Sequence, residues 1–225
     1  MAKSNKPQEK KAKSAPIEDL TATENFLDQN KKVLIGIGVA IAVVLLGYFG
    51  YNHFVVKPKN IESQELSWNA FYDLEADSLD RAALGTDNYA GFEELAGEYK
   101  GTTGGDIANY SMGIISMQKG EFETALDYFA NCDFEDVIVG TLCLGLQGDC
   151  YVELDNLQEA ISIFEEAVAR EANDFTTPMF LKKAGLVHEA LGNRSKANAN
   201  YKNIKENYPT SQFATDIDRY IGRTK

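Results

Sequence analysis

Side chains that could carry acid–base, nucleophilic or metal chemistry are few in this 225-residue sequence. It contains two histidines, His53 and His188, and three cysteines, Cys132, Cys143 and Cys150. A zinc site needs three or four such ligands at characteristic spacings, and none of these spacings occurs. No serine or cysteine is placed with a histidine in the pattern of an activated nucleophile. We therefore expect a non-enzymatic protein with no catalytic residues, no cofactor and no bound metal.

The three cysteines have a structural and a redox interpretation. Their number is odd, so they cannot all pair within one chain. Small buried thiols in helices are the main interpretation. A disulfide between Cys132 and one of the other two is the alternative, if this part of the chain faces an oxidising compartment.

Charge excludes one class of partner. The chain has a formal net charge of −12. Residues 60–225 carry 13 lysines and arginines against 29 acidic residues, a net of −16. Binding to DNA or RNA needs clustered positive charge on one face. We therefore expect no nucleic-acid partner.

The element that positions the whole chain is an apolar run over residues 33–56, which contains no Asp, Glu, Lys or Arg. At about 1.5 Å per residue, a helix of this length spans the hydrocarbon layer of a bilayer, about 30 Å thick. It lacks the polar face of a soluble surface helix. It is longer than the apolar part of a signal peptide, and no small-residue cleavage site follows it. We predict a single transmembrane helix over 33–56.

Flanking lysines predict the orientation of this helix. The preceding 32 residues contain seven lysines, two of them at the start of the run, and only Lys57 and Lys59 follow closely. Positive residues favour the cytoplasmic side of a membrane. This modest difference predicts a cytoplasmic tail over 1–32, disordered over 1–16, and a C-terminal domain on the other side.

Small residues four positions apart in the run form two pairs, Gly36 with Ala40 and Gly38 with Ala42. This spacing lets another membrane helix approach closely. Glycine and alanine are also common in membrane helices without any packing role. The two interpretations have equal weight.

A pattern of small and aromatic residues recurs three times in the C-terminal part. The pattern first occurs at Gly113, Gly120, Ala125 and Phe129. It recurs 35 residues later at Gly148, Asp155, Ala160 and Phe164, and 37 residues after that at Gly185, Gly192, Ala197 and Tyr201. The glycine allows close helix packing, and the aromatic residue is expected to pack onto the next repeat. Repeats of this length predict an all-α solenoid of helix pairs, with a turn in the middle of each pair.

These repeats resemble the tetratricopeptide repeat family. The second unit matches best, at Leu144, Gly148, Tyr151, Ala160, Phe164 and Ala167, whereas the first departs at Asn109 and the third at Ile204. On the family template the units span 106–139, 141–174 and 178–211, within a repeat domain over 60–225.

Two further segments are expected to flank these units. Residues 61–100 look like a degenerate leading unit of two helices, with Trp68, Phe71, Tyr72 and Leu74 on one face of the first and Tyr89, Phe92, Leu95, Ala96 and Tyr99 on the second. A helix over 211–222 is expected to cap the array.

The family binds proteins on a concave face built by the first helix of each unit. By this resemblance the candidate binding residues are Ile107, Tyr110, Ile114, Met117, Leu142, Asp149, Val152, Glu153, Met179, Lys182 and Leu186. Tyr110 and Ile114 stand where carboxylate-gripping members carry basic or amide side chains, so we expect no such clamp. An apolar groove rimmed by acids suits extended apolar or basic segments. The alternative is that the short array buries these residues against its own leading or capping helix.

The complete layout resembles the YfgM family of bacterial inner-membrane proteins. The similarity rests on the tail, the glycine-rich run, the sequence QELSWNAF over 64–71 and the weak repeats. Members associate with the Sec translocon and a periplasmic peptidyl-prolyl isomerase. The resemblance implies an adapter or chaperone whose partners are translocon subunits, that isomerase and exported clients. A second hypothesis is an envelope scaffold that organises division or outer-membrane assembly machinery.

Overall fold

The structure is a computed structural model that describes residues 18–170 and 172–225, with side chains from Phe26 onward. Apart from one very short hairpin, its regular structure is helical in this part of the chain, which confirms the all-α prediction. The chain divides into two units, Met1–Phe54 and Val55–Lys225. The tail over 1–16, predicted to be disordered, lies outside the described residues.

The first unit contains the apolar run in a long helix, α1, Glu18–Tyr51, which ends in a π-helical turn at Asn52–Val56. Apolar side chains of the run are exposed, and Val44 and Leu46 reach 69% and 73% exposure. Among the described residues, one helical stretch, Phe26–Glu75, is long and apolar enough to cross a membrane. The most apolar part of this stretch is not buried in protein.

The second unit contains three helix pairs. These are α5 Thr103–Gln118 with α6 Phe122–Ala130, α7 Val137–Glu153 with α8 Leu157–Arg170, and α9 Thr176–Ala190 with α10 Arg194–Asn207. A 3-10 turn at Gln212–Ala214 and a helix α11, Ile217–Arg223, follow them. The predicted capping helix over 211–222 is thus two shorter elements.

Each pair turns at the same kind of residue. Gly120, Asp155 and Gly192 have φ values of 78°, 58° and 75°. The amide of the next residue then donates to a carbonyl five positions back, for example Asn156 to Tyr151 at 2.9 Å. Glycine and, less easily, aspartate accept this left-handed conformation. The predicted turns are confirmed at all three positions.

The repeated glycines are contact points for the repeated aromatic rings. A Cβ atom added to Gly113, Gly148 or Gly185 would lie 2.4 Å from a ring carbon of Phe129, Phe164 or Tyr201 respectively. Each ring thus packs on the glycine of its own unit. The predicted contact with the next repeat is also present at Phe129, which lies in one cluster with Cys143 and Cys150 of α7. Phe164 makes both contacts, since it also stacks on Phe180 of α9 with ring centroids 6.1 Å apart.

The leading segment differs from the predicted pair of helices. It consists of α2 Lys57–Glu75, α3 Leu79–Leu84, an antiparallel hairpin of β1 Gly85–Thr86 with β2 Tyr89–Ala90, and α4 Phe92–Glu98. Tyr89, predicted on a helix, therefore lies in β2. Gly85 at φ +73° and Gly91, whose added Cβ would meet the Ala83 carbonyl at 2.2 Å, allow the tight return of the chain.

The fully buried side chains of α2 are small or acidic, whereas Phe71 and Leu74 are partly buried against the cluster of Phe92. The fully buried residues are Ser63, Ser67, Ala70 and Asp73. Trp68 and Tyr72, which the sequence placed on one face with Phe71 and Leu74, are 73% and 72% exposed. α5 approaches α2 closely at Ser63, where a Cβ on Gly104 would meet the Ser63 hydroxyl oxygen at 1.7 Å. Only small side chains fit there.

Hydrophobic contacts link the helices in sequence order. Four clusters follow one another, and large buried members of them are Phe92, Phe129, Phe164 and Tyr201. Each cluster joins neighbouring elements, as expected for an array in which a unit contacts mainly the next unit.

Candidate protein-binding surface

The candidate residues of α5 are half-buried between units. The Tyr110 ring packs edge-on against Phe129 and Phe134, with centroids 6.0 and 6.1 Å apart. Ile114 and Met117 pack on a cluster that contains Cys143 and Cys150 of α7, and Ile107 is half-buried as well. Burial also raises the pKa of Tyr110. Tyr110, Ile114 and Met117 therefore join α5 to the next pair.

The candidate residues of α7 divide into a packed part and an exposed part. Leu142 packs against the Phe164 cluster, and Asp149 accepts from Lys183 Nζ at 2.5 and 2.6 Å. Val152 is 36% exposed. The neighbouring Glu153 is exposed and forms no ion pair with any residue that the structure describes.

The candidate residues of α9 meet the C-terminal helix. Lys182 Nζ lies 2.8 Å from Asp216 Oδ1 and 4.7 Å from the centre of the Tyr220 ring. The hydrogen bond from Lys182 lowers the pKa of Asp216. Met179 is half-buried on the Phe164 cluster, whereas Leu186 remains 41% exposed.

A second contact with the C-terminal helix involves Glu189, two turns beyond Lys182 along α9. It accepts from Tyr201 Oη at 2.5 Å and from Arg223 Nη2 at 2.8 Å. Burial opposes ionisation of this carboxyl group, but the two hydrogen bonds outweigh it and lower its pKa. Part of the predicted face is therefore covered by the capping helix, as the alternative interpretation expected.

Two apolar side chains of the predicted face, Val152 and Leu186, are exposed. Further exposed apolar side chains lie in or next to α7 and α9 and were not among the residues predicted from the sequence. Ile138 and Val139 in the first turn of α7, Phe175 just before α9, and Leu191 just after it are 36–48% exposed. Ile138 and Val139 precede the template unit over 141–174, so the family pattern assigned them no role. The sequence did contain a signal for them. Asp136 caps α7 by accepting from the Val139 amide at 2.8 Å, and two apolar residues directly after such a cap lie in the first turn of the helix.

The predicted membrane-packing residues lie in α1 with no neighbour. A Cβ added at Gly36 or Gly38 meets nothing within 4 Å in the described part of the chain. Ala40 and Ala42 are exposed in the same stretch. These four positions are thus available for another helix.

No group of three or more His, Cys, Asp or Glu side chains in the described part of the chain is placed to hold a metal ion. His188 is 2% exposed, its Nε2 lies 3.5 Å from Glu165 Oε1, and its Nδ1 has no hydrogen-bond partner among described residues. It occupies a packing position between α9 and α8.

Comparison with known proteins identifies one repeat. A sequence model of the tetratricopeptide repeat family matches residues 183–211, which cover the second half of α9 and all of α10. No curated protein and no solved structure matches this chain. The chain therefore combines a long apolar N-terminal helix with a C-terminal helical region that contains a tetratricopeptide repeat, and such a repeat supports a protein-binding role.

Proposed function

We propose that this protein is a non-enzymatic adapter that is anchored in a bacterial inner membrane and binds proteins through its repeat region. In this proposal α1 spans the membrane with its N-terminus in the cytoplasm. The helix pairs lie in the periplasm, and Val152 and Leu186 contact the partner.

The exposed pair of apolar side chains on first helices is the observation that supports this proposal most. Val152 on α7 and Leu186 on α9 remain 36% and 41% exposed, although neighbouring candidate residues are packed. Glu153 adds an exposed negative charge beside Val152. Apolar groups next to an unneutralised acid suit a partner segment that is apolar and carries a basic residue.

The identity of the partners rests on the YfgM resemblance alone. It suggests that α1 packs beside translocon helices through Gly36, Gly38, Ala40 and Ala42, and that the repeats bind a peptidyl-prolyl isomerase or exported clients.

Purification of the tagged full-length protein in mild detergent tests this proposal. We expect translocon subunits or an export-folding factor to copurify, as identified by mass spectrometry. Replacement of residues 33–51 with leucine should remove the translocon subunits, because it removes the small residues that allow close packing. The double variant Val152→Asp, Leu186→Asp should lose the periplasmic partner, because it places two charges in an apolar contact.

Leu84→Asp is the matched control, because Leu84 is 68% exposed but lies at the end of α3, outside the candidate face. It should retain every partner. Recovery of division or outer-membrane assembly proteins only, with no effect of the leucine replacement, would favour the envelope scaffold and contradict the adapter.

A further inference from the structure

Two of the three cysteines meet where the first helix pair joins the second. Cys132 lies in the connection between α6 and α7, and Cys143 lies in the second turn of α7. Cys132 packs against the hydrophobic cluster that contains Cys143, and both cysteines line one small cavity. The two side chains are therefore neighbours in space.

Other contacts hold both side chains in place. Cys132 Sγ also lies 3.5 Å from the carbonyl oxygen of Asp106, and Cys143 Sγ lies 3.8 Å from that of Phe129. The connection itself is fixed, since the Asp133 amide donates to Asp106 Oδ1 at 3.1 Å. The proximity of the two thiols thus follows from packing of α5, α6 and α7.

A small cavity opens onto the pair. It has a volume of about 130 Å³, and its lining includes both cysteines, Phe134, Gly140 and Arg170. Arg170 Nη2 donates to the Phe134 carbonyl at 3.0 Å, and a Cβ on Gly140 would lie 2.6 Å from the same nitrogen. The glycine thus makes room for a positive charge beside the thiols.

The two thiols differ in exposure and in electrostatic surroundings. Cys132 is half-buried, whereas Cys143 is 3% exposed. The contact with Cys132, helped by the charge of Arg170, lowers the pKa of Cys143 against the opposing effects of burial and Asp106. The thiolate is the form that attacks a disulfide. The contact with Cys143, together with burial, raises the pKa of Cys132, so this thiol must give up its proton as it attacks. Cys132 is the thiol that an oxidant reaches, because it is the more exposed of the two, and Cys143 makes the second attack.

We propose that Cys132 and Cys143 form an intramolecular disulfide when the protein meets a disulfide oxidant, such as glutathione disulfide or the oxidised form of a thiol–disulfide oxidoreductase. Cys132 attacks the oxidant, forms a mixed disulfide and releases one oxidant thiol. Cys143 then attacks the Cys132 sulfur, which closes the bond and releases the second thiol. The chain loses two protons and two electrons, and one oxidant disulfide is reduced to two thiols.

The bond would fasten the connection between the first two helix pairs to α7. Cys150, seven positions further along α7, does not take part, because it is fully buried in the helix and its pKa is raised to about 11, first by burial and then by Asp149. It therefore serves as an internal control thiol.

The test is chemical and uses the full-length protein in mild detergent. The folded protein is incubated in a glutathione buffer rich in the disulfide form and quenched with acid. It is then unfolded in denaturant, alkylated at a pH that ionises thiols, and examined by mass spectrometry. Trypsin would leave all three cysteines on one peptide, because no Lys or Arg lies between Lys119 and Arg170. Cleavage at Glu135 and Asp149 separates them.

We expect one alkylated thiol, at Cys150, and a link between the peptides of Cys132 and Cys143. The melting temperature should rise by about 6 °C relative to the reduced protein, because the bond restricts the unfolded chain. Cys143→Ser should trap Cys132 as a mixed disulfide with glutathione, and Cys150→Ser should leave the link intact.

Three thiols alkylated after oxidation of the folded protein and its unfolding, a bond that includes Cys150, or a bond between two chains would overturn the proposal. Far-UV circular dichroism of each serine variant shows whether it has folded. The result is independent of the proposed function, because the bond is read on the purified chain and partner recovery is read from cells. Either can fail while the other holds.

Discussion

Addition of one methyl group at Gly148 tests the packing rule of the repeats. In Gly148→Ala, the new Cβ would lie 2.4 Å from Phe164 Cε1, about 1 Å inside an ordinary carbon–carbon contact. Phe164 is 1% exposed, and Phe180 stacks on it with centroids 6.1 Å apart, so the ring cannot retreat easily. We expect an overpacking cost near the upper end of the usual range, about 3 kcal/mol.

Part of this cost is offset, because alanine is a better helix former than glycine by about 1 kcal/mol. The net loss in the free energy of unfolding is therefore about 2 kcal/mol, or about 4–8 °C in melting temperature for a unit of this size. Thermal unfolding of the full-length protein in mild detergent, followed by circular dichroism, measures it. Gly113→Ala and Gly185→Ala should behave in the same way, since their added Cβ atoms meet rings at the same 2.4 Å.

Gly97→Ala is the matched control. Gly97 lies in α4, and its added Cβ would meet nothing within 4 Å. This variant should be stabilised by up to about 1 kcal/mol. Relief of the Gly148→Ala loss in a Phe164→Leu background would confirm that the ring is the obstacle. An unchanged or raised melting temperature in all three repeat variants would refute the packing rule.

Three further predictions concern single positions. His188→Phe should raise stability by about 1 kcal/mol, because it removes a buried Nδ1 that has no partner among described residues; a loss in thermal unfolding would argue against this. Because φ is positive at both turns, Asp155→Gly should stabilise the protein by about 1 kcal/mol and Gly192→Ala should destabilise it by a similar amount. A Cβ at Gly192 meets open space, so the cost there comes from the backbone alone. Melting temperatures equal to that of the wild type would contradict the strain argument. In the folded protein the pKa of Cys150 is raised from 9.0 to about 11, mainly by burial. The stabilisation of the folded state that comes from this raised pKa is therefore complete below pH 9 and is lost between pH 9 and 11. Cys150→Ala should lose less stability than the wild type across that range, and parallel profiles of stability against pH would disprove this prediction.

The sequence was sufficient where a local rule decides the structure. The apolar run lacks any polar face, and Gly120 and Gly192 favour the left-handed turn wherever two helices must reverse. The repeated glycine and aromatic residue predicted a close contact. Their spacing alone could not show that each ring packs within its own unit.

Tertiary context decided the rest. The pattern placed Trp68, Phe71, Tyr72 and Leu74 on one face, but only Phe71 and Leu74 pack on the Phe92 cluster, whereas Trp68 and Tyr72 stay exposed. The template placed Lys182 on a binding face, and Asp216 from beyond the third unit reaches it at 2.8 Å. Such contacts depend on how separate helices dock, which periodicity does not contain.

The central claim is that exposed residues of the first helices bind a protein partner. Photo-crosslinking in living cells tests it most directly, with a benzophenone amino acid at Leu186 or Val152 in the full-length protein. We predict that both positions capture the same partner, and that Leu84, more exposed but outside the candidate face, does not capture it. Capture of that protein from Leu84 with equal yield, or no protein adduct from either Leu186 or Val152, would contradict the claim.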